Sequence, residues 1–262
     1  METNVNNTFF TGKFLIHLPS VDSTNNYAKL HIAKSSPIDG TVILADEQTA
    51  GRGQSGTDWL ADANKNLTFS IIYQTAFLLA TEQFYLSMAV SLGICKAIHS
   101  LIHQFPNSII KIKWPNDIYI NDKKLAGILI ENTISGMHLK YSVIGIGLNV
   151  NQENFPKDIK ATSLKLILGN KLDKNIVLNK ILEFIEKYFF LLKERKFEKI
   201  KEEYLENLLH YKVIASYKKD ETVFYGKIID IDSIGNLMME IQKGDKISIE
   251  KFGFKEISLV SF

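Results

Sequence analysis

The chain has 262 residues, 45% of them hydrophobic, a net charge of +2 and one cysteine. That length holds one large domain, or one plus a small one, with enough apolar material for a core. The near-neutral charge argues against binding nucleic acid through a whole-molecule field, and a lone cysteine excludes an internal disulfide framework.

The first residues, Met1–Asn7, lack the basic-then-apolar layout of a signal peptide. No apolar run approaches the roughly 18 residues of a membrane span. A soluble cytoplasmic protein is expected. Phe14–Leu18 reads as a short strand ended by Pro19. Ser20–Ala28 clusters hydroxyl and amide residues ahead of a helix, which is an N-cap signature. The same groups side by side could also hydrogen-bond a polar heterocycle. Thr41–Ala45 reads as a buried strand and delivers the chain to Asp46–Trp59. There Gly51, Gly53 and Gly56 surround Arg52 and precede Trp59. Closely spaced glycines let backbone N–H groups approach a ligand, and a guanidinium among them suits a phosphate or carboxylate. Trp59 offers a flat face for a ring. The plain alternative is a glycine-rich surface loop. Gly51-x-Gly53-x-x-Gly56 also matches the dinucleotide fingerprint, but the context fails. A polar, loop-like segment and then a strand, Leu67–Tyr73, follow it, and no acidic residue stands near Ala76. The Walker pattern is absent as well.

A helix is expected from Glu82 to Ile102, with Phe84, Met88, Leu92, Cys95, Ile98 and Ile102 at helical spacing. That stripe, Cys95 included, reads as core. Ile110–Glu131 reads as a strand into Trp114-Pro115, a hairpin turn at Asn121-Asp122 and a second strand that Gly127 interrupts. A glycine within a strand marks a bulge or a close backbone approach. Lys113, Asn116, Asp117 and Lys124 are polar groups held beside these apolar strands, although a Lys-Lys pair in a turn is otherwise a solvated tip. Tyr141–Asn151 forms another strand, with Gly145 and Gly147 where side chains should pack and Asn149 at its end. These glycines predict a sheet face left open for a ligand. Asp173 caps a helix beginning near Asn175, with Ile181, Ile185, Tyr188 and Leu192 on one face. Ile200, Tyr204 and Leu208 line another stretch, and Lys193–Glu206 reads as a solvated helix exterior. From Leu208 the pattern changes to short strands at 212–217, 222–230, 237–241 and 246–250, with turns at 219–220, 233–236 and 243–245. About 55 residues of such strands suggest a small barrel.

In this order the motifs resemble those of biotin protein ligases, over nearly the whole chain. The resemblance rests on Ser23-Thr24-Asn25, Glu47–Gly53 through Trp59, Lys113-Trp-Pro-Asn-Asp117, Lys124–Glu131, Gly145-Ile-Gly-Leu-Asn149 and the C-terminal strands. It implies an α+β fold, with a mixed/antiparallel sheet flanked by helices, like a class II aminoacyl-tRNA synthetase catalytic domain, plus a small SH3-like β-barrel. The implied domains are 1–207, which binds biotin and adenylate, and 208–262, the barrel. Some family members carry an N-terminal winged-helix repressor domain. The stretch before Ser23 is too short for one, so the resemblance is to the monofunctional class, with no DNA and no membrane partner.

The implied reaction has two steps. Biotin's carboxylate attacks the ATP α-phosphorus, giving biotinyl-5′-AMP and pyrophosphate. A lysine of a biotin carboxyl carrier protein domain then takes the biotinyl group and releases AMP. The resemblance gives Arg52, Lys124 and Asp117 the catalytic roles. It assigns Ser23, Thr24, Asn25, Gln48, Gly51, Arg52, Gly53, Lys124, Gly127 and Gly145 to biotin. It assigns Arg52, Gln54, Trp59, Asn116, Asp117, Lys124 and Asn149 to ATP, and Asp117 to Mg²⁺. Oligomeric state stays open, a homodimer included. One departure stands out. Many family members have a second arginine where this chain has Gln54, and some have another basic residue where it has Thr57. Two rival readings remain, a lipoate or octanoate ligase of the same fold and a non-catalytic biotin-binding regulator.

Overall fold

The computed structural model describes residues 7–105, 107–157, 159–243 and 246–260. The first layer is a seven-stranded sheet built from β1 (Leu15–Leu18), β2 (Thr41–Ala45), β3 (Leu67–Gln74), β4 (Ile110–Lys113), β5 (Asp117–Ile120), β6 (Lys123–Ser135) and β7 (His138–Leu148). Its strand order is β1-β2-β3-β7-β6-β5-β4. Only β1 and β2 run parallel, so the sheet is mixed. Five helices complete this part: α1 (Thr24–Lys34), α2 (Gln83–Leu101), α3 (Leu164–Leu168), α4 (Lys174–Lys193) and α5 (Phe197–Asn207).

Alternation along the strands decides which face each helix covers. Val42, Leu44, Phe69, Ile71 and Tyr73 join the main core beneath α2, α4 and α5. Ile43, Ile72 and Val143 face the other way and pack with Ala28 of α1 as a small separate cluster. One face is therefore fully covered by helices. The other is covered by α1 at one end only, and the remainder is available for a site.

The stripe expected on α2 understates its burial, because twelve of its nineteen residues are buried. The helix lies between the sheet and α4 and α5. Ala80–Leu101 is long and apolar enough to cross a membrane, yet 67% of its apolar window is inside the fold, so it serves as a core helix. At Gly93 an added Cβ would lie 2.8 Å from the Ile185 Cα, so α2 and α4 meet almost backbone to backbone. Gly93→Ala is expected to lower stability by about 1–3 kcal/mol through overpacking. A urea or thermal unfolding midpoint equal to that of the unmodified protein would show that the helices part without cost.

Two differences from the sequence expectation have local causes. Helix α3 was not expected. Ser163 caps it by accepting from the Leu166 N–H at 3.3 Å, and Gly169 ends it at φ 77°. The charged segment 193–206 is broken where Arg195 turns the chain at φ 56°, and α5 then buries the expected Ile200 and Tyr204 together with Leu205.

The second layer is an antiparallel sheet of β8 (Ile214–Lys219), β9 (Thr222–Ile231), β10 (Leu237–Lys243), β11 (Lys246–Phe252) and β12 (Ser258–Leu259), in the order β11-β10-β9-β8-β12. β8 starts two residues later than expected because His210 and Lys212 adopt left-handed conformations, φ 60° and 58°. Gly244 and Asp245 of the expected turn lie outside the described residues. This sheet docks on the first through aromatic contacts. The Trp114 indole N–H donates to the Gly235 carbonyl at 2.9 Å, and Phe254 packs against Phe84 and Trp114 with ring centroids 5.9 and 5.4 Å away.

Candidate active site

The uncovered part of the first sheet carries a row of small residues. Gly147 of β7 pairs with Gly127 of β6, which pairs with Asp117 of β5, and Gly145 pairs with Leu129. Above this row is a cleft of about 310 Å³, at the lower end of the range for small-molecule sites. Its walls come from the start of α1, the loop after β2, the β5–β6 hairpin and β7.

One end of the cleft is polar and buried. Ser23, Thr24 and Asn25 are nearly inaccessible. Ser23 occupies the N-cap position of α1, but its side chain makes no capping bond. Gln48 takes that role instead, accepting from the Thr24 N–H at 2.8 Å and the Thr24 hydroxyl at 3.0 Å. Ser70 donates to the hydroxyl of Thr24 or the Oδ1 of Asn25, at 2.8 and 2.6 Å. The side-chain amide of Asn25 then donates to Glu131 Oε2 at 2.9 Å. A chain of short polar contacts thus runs from Gln48 to Glu131. Leu129 supplies apolar wall between the two ends, while Ile128 and Ile146 border the cleft but turn their side chains into the main core on the other face.

The other end is charged. Arg52 donates to Asn26 Oδ1 at 2.8 Å and lies 3.3 Å from Glu131 Oε1. Glu131 also binds Lys29 at 2.9 Å. Burial would raise the Glu131 carboxyl, but hydrogen bonds from Lys29 and Asn25 and the charges of Lys29 and Arg52 hold it below the usual carboxylate range. Lys124 Nζ lies 2.8 Å from Asp117 Oδ1 and 5.6 Å from the centre of the Trp59 ring. The loop between these cations is internally bonded. Gly53 N–H donates to the Thr57 carbonyl at 2.6 Å and Trp59 N–H to the Gly51 carbonyl at 2.9 Å.

The glycines do not leave the face open in the way the sequence suggested. The Trp59 indole lies over Gly147, and an added Cβ at Gly127 would lie 3.1 Å from its Cζ3. Asn25 fills the space above Gly145, where an added Cβ would lie 2.9 Å from its Cγ. The protein's own side chains use the room the glycines provide. Two β-branched strands at these positions would expel both. Of the two expectations at Gly127, a bulge or a close approach, the approach is met by Trp59, and the register shift between β5 and β6 falls at Leu125.

A family model describing the biotin/lipoate A/B protein ligase family matches residues 17–149. The chain belongs to this family. Among relatives of the biotin/lipoate ligases, the bifunctional ligase/repressor BirA of Bacillus spizizenii is 34% identical over 240 residues, covering 90% of this chain and 72% of the relative. The biotin--[acetyl-CoA-carboxylase] ligase of Mycobacterium tuberculosis is 34% identical, over 63% of this chain and 59% of that one. A solved structure, the Aquifex aeolicus biotin protein ligase in complex with biotin and ATP, superposes with a TM-score of 0.73 at 31% identity, covering 95% of this chain and 99% of that one.

Within this member of the ligase family, one cleft collects Ser23, Thr24, Asn25, Gln48, Arg52 and Gly53 together with Gln54, Trp59, Asn116, Asp117, Lys124, Gly127 and Gly145. Two residues named from the sequence stand apart. At Gly51 an added Cβ would meet the Trp59 carbonyl. Asn149 is buried behind the cleft, donating to the Thr162 carbonyl at 3.0 Å. Three residues to which the sequence assigned no ligand belong to the site. Gly147 was legible from its two-residue spacing from Gly145. Glu131 was legible from strand alternation, since Gly127, Leu129 and Glu131 share one face. Lys255 reaches the cleft from the second sheet, and nothing in the first 150 residues signals it.

Proposed function

We propose that this chain is an ATP-dependent biotin protein ligase, forming biotinyl-5′-AMP and transferring the biotinyl group to a lysine of a carboxyl carrier domain. The observation that carries the reading is one cleft with a buried hydroxyl–amide end, an apolar middle, and Arg52 and Lys124 at its charged end. Biotin needs those three environments in that order. Its ureido group has both donors and acceptors, its chain is apolar, and its carboxylate is anionic. Ser23, Thr24 and Gln48 would hold the ureido ring, with Asn25 over Gly145 closing that end.

Two anions must meet at the charged end, so cations must be there first. Arg52 and Lys124 are each held by a carboxylate, Glu131 and Asp117. Those partners keep the cations placed when the cleft is empty. In the first step a biotin carboxylate oxygen bonds to the α-phosphorus as the bond to pyrophosphate breaks. In the second, a carrier amine bonds to the acyl carbon, AMP departs and the amine loses a proton. No enzyme nucleophile is needed, and burial pushes the sole thiol, Cys95, up to about 12. Trp59 and Asn116 would hold the nucleotide with Gln54, and Asn149 would support them from behind. The Trp59 indole N–H is buried without an acceptor among the described residues, which fits a site completed by a ligand. Mg²⁺ would arrive with the nucleotide. Asp117 suits it, because Mg²⁺ takes one or two carboxylates plus substrate phosphates and supplies charge neutralisation there. We further assign residues 1–207 to a class II synthetase-like catalytic domain and 208–262 to an SH3-like barrel. A nucleotide-dependent reaction and a reduced, buried cysteine suit the cytoplasm.

Lipoate fits less well. Its dithiolane offers no N–H or C=O, so the buried amides and hydroxyls at the polar end would lose partners. The test is incubation with biotin, Mg·ATP and a carrier domain, followed by peptide mapping. One labelled carrier lysine is expected, and an unlabelled carrier would contradict the reading. The loop 51–58 has few apolar residues, so it should be locally unstable without ligand. Its amides should gain hydrogen-exchange protection on addition of biotin or its adenylate, which shields the anhydride from water. Equal protection in both states would rule out closure.

A further inference from the structure

Lys255 is the one residue beyond Gly147 that lines the cleft among the described residues. It comes from the turn between β11 and β12, not from the catalytic sheet. Its placement is not casual. Phe254, its neighbour, is clamped between Phe84 and Trp114. Trp114 is in turn bonded to the Gly235 carbonyl of the second sheet. Glu256 N–H donates to the Gly253 carbonyl at 3.2 Å, closing the turn, and Lys255 takes a left-handed φ of 66° at its tip. Ring contacts of the half-exposed Phe254 thus fix the turn that brings Lys255 to the lining of the cleft.

The charges of the lining give that ammonium a task. Arg52 and Lys124 face Glu131 and Asp117, and Asp58 adds another carboxylate to the cleft. The loop residue that shares both the main cleft and the adjoining cavity with Lys255 is Gln54, which is neutral. A triphosphate brings about four negative charges, and two of the three phosphates extend beyond the atom under attack. Arg52 and Lys124 are placed for the α-phosphate and the carboxylate. We propose that Lys255 binds the β- and γ-phosphates of ATP, and the pyrophosphate they become, so that the second sheet supplies the cation the loop lacks at Gln54. A lysine suits this task because it acts as a point charge on phosphate without needing a fixed planar geometry. This assignment rests on the ATP-dependent ligase reading.

The test compares the unmodified protein with Lys255→Ala, Lys255→Glu and Lys255→Arg. Equilibrium titrations use Mg·ATP, inorganic pyrophosphate, AMP and biotin as separate probes. Loss of one charge-assisted contact should weaken Mg·ATP and pyrophosphate by about tenfold in Lys255→Ala. Lys255→Glu should weaken them further, and Lys255→Arg should bind within about twofold of the unmodified protein. AMP and biotin should bind alike in all four, because neither carries the distal phosphates. Unchanged Mg·ATP and pyrophosphate affinity in Lys255→Ala would overturn the proposal. So would equal weakening of AMP and biotin, which would mean that the turn supports the cleft's shape. Failure of the ligase reading is separate: it would show as no biotin-dependent chemistry in the unmodified protein, whatever its pyrophosphate affinity.

Discussion

Lys124→Ala is expected to slow adenylate formation by a factor on the order of 10² or more, through loss of a preorganised cation at the point where charge shifts. The fold shows why this lysine is not a solvated turn tip. The tip is Asn121-Asp122, both at positive φ, and Lys123 next to it is exposed. Lys124 is inside β6, with its N–H donating to the Lys160 carbonyl and its carbonyl accepting from Thr162 N–H, both at 2.9 Å. Its ammonium is directed back over the row of glycines, between Asp117 and the Trp59 ring. Stability should change little, since partly exposed ion pairs are worth about 0–1 kcal/mol. Single-turnover adenylation monitored by quench, beside a thermal melt, separates the two effects. Near-normal adenylation in the variant would return Lys124 to a structural role.

Gln54→Arg is expected to slow release of biotinyl-AMP by up to about tenfold to a hundredfold, with the first step largely intact. Gln54 lines the main cleft and two cavities that adjoin it. An arginine there could add a charge-assisted contact worth roughly 1.5–3 kcal/mol. With glutamine at 54 and threonine at 57, retention rests on Arg52, Lys124 and closure of the loop. Thr57 spends its hydroxyl on the Gln54 carbonyl at 2.9 Å, shaping the loop from within. Released adenylate would acylate exposed lysines on bystander proteins, which gives a second readout. The direct measurement is dissociation of preformed adenylate without carrier. Equal rates in the two proteins would mean that Gln54 already suffices or that position 54 does not touch the phosphate.

Local patterns carried much of the fold. The all-buried run Thr41–Ala45, the long apolar helix and the Asn121-Asp122 turn were readable because strand alternation, helical period and turn chemistry act over a few residues. What escaped was set by contacts distant in sequence. Ser23 looked like a helix cap, but Gln48, twenty-five residues on, does the capping. The glycines of β6 and β7 were readable as close approaches, but not that Trp59 and Asn25 make them. Glu131 sat in plain view on the right strand face, yet its meaning depends on Arg52 being folded against it. Lys255 was beyond local reading altogether, since only docking of the second sheet brings it to the cleft.

The central claim is that one cleft joins biotin's carboxylate to the α-phosphate of ATP. Biotin-dependent exchange of labelled pyrophosphate into ATP by the purified protein tests it most directly. Exchange should rise from background on adding biotin and should be faster with biotin than with lipoate. Exchange indifferent to biotin, or faster with lipoate, would contradict it.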